Sequence, residues 1–168
     1  MIGVKPPRLI QTSDTSIGVR IFISELDVAR KVEQATCHEL THAATAHLKL
    51  PPWLNEGLAM LTVDRFVGQP TVKAETVTTL AHAVDTLRLR QYPQYPRDQD
   101  ALVYIYVHGY WLTRYFEETA PGLIRDLLTQ RHSPTKMEDR IATAYGEERG
   151  PFWHNLDRTV AAYFKPSA

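Results

Sequence analysis

One cysteine, Cys37, stands among 168 residues, which excludes a disulfide within the chain and leaves the redox compartment open. There is no excess of charge of either sign, because 19 Lys and Arg balance 19 Asp and Glu, and no basic run is present. Phosphate recognition needs a concentrated positive patch, so nucleic acid is not an expected partner. No apolar stretch approaches the roughly 20 residues that span a bilayer, and no membrane partner is expected either. The chain also opens without a charged segment leading into an apolar run. The default expectation is therefore a cytoplasmic protein, or a secreted one if Met1 begins a shortened piece of a longer chain. Internal repeats, low-complexity tracts and a linker to a second domain are missing too. The length suits a single domain over 1–168 that buries a real core.

What is present is Cys37-His38-Glu39-Leu40-Thr41-His42. On a helix, histidines at i and i+4 project from one face about one turn apart, close enough to hold one ion between them. Zinc takes imidazole nitrogen and carboxylate oxygen, and a catalytic site keeps three protein ligands with one position for water. Two histidines are one ligand short. Downstream lies Pro51-Pro52-Trp53-Leu54-Asn55-Glu56-Gly57-Leu58-Ala59, in which a carboxylate stands among apolar residues. Burying Glu56 between Leu54 and Leu58 is costly unless something cationic pairs with it.

HELTH followed by PPWLNEGLA resembles the gluzincin metallopeptidases, in particular the small peptidase MA-like domains. The resemblance implies one Zn²⁺ per chain held by His38, His42 and Glu56, Glu39 as general base, and a peptide or protein as substrate. Thirteen residues separate His42 from Glu56, a shorter gap than in the large aminopeptidases of this superfamily. It also implies a zincin-like fold, α+β and mainly α, with a short β-hairpin or small sheet over the HExxH helix and a helical bundle after it. No acidic amine-binding motif precedes the HELTH helix, which favours an endopeptidase.

In chain order, strands are expected over about 8–24, where Ile17, Val19, Ile21 and Ile23 alternate with Gly18, Arg20 and Phe22. By the same resemblance one of these strands binds substrate backbone or simply covers the helix. Active-site helices are expected over about 28–64, broken at Pro51-Pro52, and a helical part over about 74–165. Cys37 is expected to be a small buried side chain and His47 a surface residue. Gly57 permits close backbone approach near the metal. Asp64 either orients a histidine N–H or is a helix-end carboxylate. Gln91 to Asp98 reads as a loop. The stretch Ala101 to Phe116 carries Tyr104, Tyr106, His108, Tyr110, Trp111, Tyr115 and Phe116. It resembles the family's tyrosine-bearing helix, with Tyr106 at the tyrosine position and Tyr110 one turn on. A donor among Tyr106, His108 and Tyr110 would stabilise an oxyanion, while the other rings fill the core. Two rival functions share the same motif: a zinc-stabilised binding or regulatory protein on a peptidase-like fold, and a dedicated protease that cleaves one regulatory protein. Substrate identity and oligomeric state are not encoded in these patterns.

Overall fold

The computed structural model describes residues 25–82 and 99–165, with side chains over 28–80 and 102–165. The expected hairpin at about 8–24 and the loop from Gln91 to Asp98 lie outside the described residues. Those that are described form a mainly helical protein and include no strand.

The first helix, α1 (Glu25–Thr45), carries the HELTH motif in its last third. It tightens into a 3-10 turn at Ala46–Leu48 and stops at Lys49, whose backbone is left-handed at φ 51°. Only glycine adopts that conformation without penalty, so Lys49 is held there by its neighbours. Pro51 and Pro52 then fix the entry to α2 (Pro52–Val67), with Pro52 in the first turn, where its missing N–H costs nothing. This short connection folds α2 back along α1. Gly68, left-handed at φ 76°, closes α2 by donating its N–H to the Asp64 carbonyl.

A continuous helix from Ala74 is expected from the spacing of apolar residues. The chain instead makes a 3-10 turn at Ala74–Val77 before α3 (Thr78–His82). Thr76, Thr78 and Thr79 each bond their hydroxyl back to the carbonyl three residues earlier, which favours the tighter coil. The aromatic stretch forms α4 (Gln99–Thr119). The short α5 (Leu123–Leu127), α6 (Pro134–Ala144) and α7 (Arg149–Tyr163) follow. Ser133 caps α6 by accepting the Lys136 N–H at 3.3 Å.

The core lies where α2, α4 and α7 meet. Trp53 is buried at the turn into α2, edge-on to Phe116 at 6.2 Å and to Trp153 at 5.8 Å. Each such side chain stabilises the fold by about 1.5–3 kcal/mol through burial. By contrast α1 packs against α2 and leaves Val28, Val32 and Leu40 exposed, with Phe66 of α2 exposed as well. Cys37 is only half-buried, because it lines the open apolar groove between those two helices rather than a packed interior. No helix among the described residues is long and apolar enough to cross a membrane.

Helices α2 and α4 touch backbone to backbone. A Cβ on Gly57 would collide with the Gly109 carbonyl and the Thr113 hydroxyl, and a Cβ on Gly109 would collide with the Trp53 carbonyl. Backbone atoms cannot swing aside as a side-chain end can, so this crossing tolerates no added methyl group. Gly57→Ala and Gly109→Ala are each expected to lower stability by about 1–3 kcal/mol or more through overpacking. Gly150→Ala in α7, where an added Cβ meets no atom within 4 Å beyond its chain neighbours but Pro151 follows, is expected to change stability by less than about 0.5 kcal/mol, the gain in helix propensity being offset by the proline ring. Urea unfolding of the three variants separates the two cases.

Candidate metal centre

His38 and His42 stand one helical turn apart on α1, with ring centroids 4.5 Å apart and planes nearly perpendicular. Their Nε2 atoms are 2.9 Å from each other. Glu56, on the first turns of α2, reaches back so that Oε2 lies 3.3 Å from His38 Nε2 and Oε1 lies 3.6 Å from His42 Nε2. The carboxylate is only 3% exposed, whereas the imidazoles keep about a fifth of their surface (19% and 21%). Glu56 is thus buried as its apolar neighbours required.

The donor atoms fit a small divalent cation. Ligand atoms about 2.0–2.2 Å from a tetrahedral zinc stand roughly 3.3–3.6 Å from one another; the two nitrogen–oxygen separations fall on that spacing and the nitrogen–nitrogen one, 2.9 Å, is shorter. Two nitrogens at 2.9 Å cannot both carry protons, so at least one lone pair points into the centre of the cluster. An anionic oxygen buried beside converging lone pairs calls for positive charge. The set of two imidazoles and one carboxylate suits zinc and other first-row divalent ions, and contains no soft thiolate.

Glu39 is exposed and shares a groove with His38. Half-buried Tyr106 of α4 lies near the Glu56 carboxylate, with that of Glu39 acting on it more weakly. Burial first, then the Glu56 carboxylate and more weakly that of Glu39, raises the phenol above its ordinary value of 10.0. Tyr106 is therefore a protonated donor at neutral pH.

The other two candidates on α4 turn elsewhere. Two residues past Tyr106 is about 200° around a helix, and His108 accordingly faces α7. It is 1% exposed, its Nε2 is 2.9 Å from Asp157 Oδ1, and Tyr104 stacks on it while bonding Asp157 Oδ2 at 3.2 Å. Tyr110 is fully buried and donates to Asp64 Oδ2 at 2.7 Å, and that contact with burial pushes its phenol up to about 12. Neither is brought to the cluster. Asp64, a candidate for orienting a histidine, instead accepts Thr71 N at 2.7 Å and Thr71 Oγ1 at 2.6 Å on its other oxygen. It pins the loop after α2. Accordingly His42 Nδ1 is buried with no hydrogen-bond partner among the described residues.

His47 is exposed, as is His154, while His132 is buried, with burial and then Arg140 and Lys136 lowering its pKa. None of the three joins the cluster. Asn55 is half-buried beside Glu56. Sequence reasoning missed Gly109, whose only signal was a glycine inside a stretch crowded with large rings. It assigned Gly57 a close approach to the metal, whereas the close approach is to the α4 backbone.

Comparison with known proteins finds no matching family model, no matching curated protein and no matching solved structure.

The buried carboxylate gives the centre a signed test. Without metal, Glu56→Gln removes a desolvated charge and is expected to leave the melting temperature unchanged or raise it. With zinc in excess the order reverses, because a ligand bound only by the folded state adds about 4 kcal/mol at a thousandfold excess over Kd, and the variant forfeits most of that gain. Paired thermal melts in zinc and in chelator read both halves.

Proposed function

We propose that this chain is a zinc-dependent peptidase of the gluzincin type, hydrolysing peptide bonds with Glu39 as general base. The observation that carries the reading is the convergence of His38 Nε2, His42 Nε2 and a buried Glu56 oxygen on one point, with a second carboxylate beside them. His38, His42 and Glu56 would hold the ion. When bound, zinc lowers the pKa of a water toward neutrality and polarises a carbonyl oxygen.

Each remaining step belongs to the chain. Glu39 is solvent-accessible in the groove, and its carboxylate takes the proton from the attacking water and passes it to the departing amine. Tyr106 keeps its proton and offers an O–H toward the oxyanion that forms on the substrate carbonyl. A purely structural zinc site has no use for a base next to its ligands, and Glu39 weighs against the reading as a zinc-stabilised binding protein.

Glu39→Gln is expected to retain one zinc per chain by elemental analysis and to lose activity by about 10²-fold or more. Tyr106→Phe is expected to retain zinc and lose roughly 10²-fold in kcat with little change in KM. His42→Ala is expected to lose the zinc itself. Casein and a mixed peptide library serve as substrates, and a zinc-loaded wild type that cleaves neither points to the dedicated protease or the binding protein instead.

A further inference from the structure

Beside the cluster a groove of about 320 Å³ runs along the seam of α1 and α2. At one end stand His38 and Glu39, and at the other Lys31, with Ala35, Met60 and Val63 along the apolar stretch between. Lys31 precedes His38 by seven residues, two turns of helix, so both lie on nearly the same face and about 10 Å apart along the axis. Its side chain is half-buried, and among the described residues no carboxylate pairs with it. On α2 and the segment after it, Asp64 is held by Thr71 and Tyr110, Lys73 by Glu75 at 3.8 Å, and Arg65 by Glu117. Thr71, which also lines the groove, is held by Asp64 at both its N–H and its hydroxyl, so the far wall is fixed.

A cation at one end of an apolar trough, with hydrolytic groups at the other, suits a chain that lies extended along it. Resting on the peptidase reading above, we propose that this groove is the substrate-selecting subsite and that Lys31 reads a carboxylate on the substrate. An extended peptide advances about 3.3–3.6 Å per residue, so the carboxylate sits three to four residues from the scissile bond. Ala35, Met60 and Val63 take the aliphatic part of the intervening side chains. The carboxylate is supplied by an Asp or Glu side chain or by the free C-terminus of a short peptide, and Lys31 serves either as a point charge.

The test uses the zinc-loaded full chain carrying Glu39→Gln, which binds peptide without cleaving it. Fluorescent octapeptides present Glu or Gln at each position in turn, with the C-terminus free or amidated, and binding is read by anisotropy. At one position Glu is expected to bind about five- to tenfold more tightly than Gln, less so at high salt. Adding Lys31→Gln flattens that difference, and Lys31→Glu reverses it in favour of Lys at the same position. Binding that weakens on amidation, with no position preferring Glu, identifies the C-terminal carboxylate as the group read, and a Glu preference that persists on amidation identifies a side chain. A preference of either kind that survives Lys31→Glu, or neither a position at which Glu exceeds Gln nor a loss on amidation, overturns the proposal. Wild-type enzyme that hydrolyses the same library without charge preference also overturns it and leaves the peptidase standing. A protein that takes up no zinc and binds none of the peptides sinks both.

Discussion

A carboxylate that cannot reach water sets the terms for this molecule. Glu56 sits on the buried side of α2, between leucines that stabilise the helix by leaving solvent, and it is carried in with them. Desolvating an anion costs several kcal/mol even after relaxation unless it is paired. Two imidazole nitrogens stand within 3.6 Å, and imidazoles offset that cost by donating an N–H, by carrying an extra proton or by sharing a cation with the carboxylate. The local architecture follows from bringing those nitrogens to it. Lys49 takes a disfavoured backbone conformation, and two prolines then turn the chain, so that the last third of α1 lies against the first turns of α2.

The position of α4 is fixed by a second contact that leaves no room to slide. Gly57 and Gly109 let two helix backbones meet, and the residue next to Gly57 is Glu56 itself. The crossing therefore sets where α4 presents its side chains relative to the carboxylate. Tyr106 falls toward the cluster, while His108, rotated by more than half a turn, falls toward Asp157 on α7. One helix thus delivers a phenol to the site on one flank and a buried hydrogen-bond partner to the core on the other. Both flanks depend on the same glycine pair.

Local pattern made the His38, His42 and Glu56 cluster legible. The i, i+4 spacing of His38 and His42, and the placement of Glu56 between Leu54 and Leu58, each state a face and a cost without reference to the rest of the chain. The proline break between α1 and α2, the Ser133 cap and most helix existence were readable for the same reason. What failed to be legible was which distant residue answers each polar group. His108 and Asp157 are far apart in sequence, as are Asp64 and Tyr110, and a periodic pattern says which way a side chain points but not what waits there. Three neighbouring aromatic or imidazole candidates therefore looked alike in sequence, and only Tyr106 faces the cluster. The threonines of the turn before α3 show a subtler limit, since their back-bonding to the chain overrides an apolar spacing that fits a plain helix.

The same geometry bears on what a bound ion does for the fold. Within the core α2, α4 and α7 bury tryptophan, phenylalanine and leucine against one another, while α1 rests on α2 with Val32 59% and Leu40 63% exposed. Apolar burial therefore holds α1 weakly compared with the other long helices, and two of the three donors in the cluster belong to it. A cation shared by His38, His42 and Glu56 would join the loosely packed helix to the most deeply buried one at a single point, and Glu39 lies between its two histidines. Losing that cation in the proposed enzyme would cost chemistry and also the placement of Glu39, because α1 buries little apolar surface of its own. Three donors rather than four distinguish such a joint from a closed structural site. In the proposed enzyme, the ion that activates water is also the ion that keeps the base in register with it.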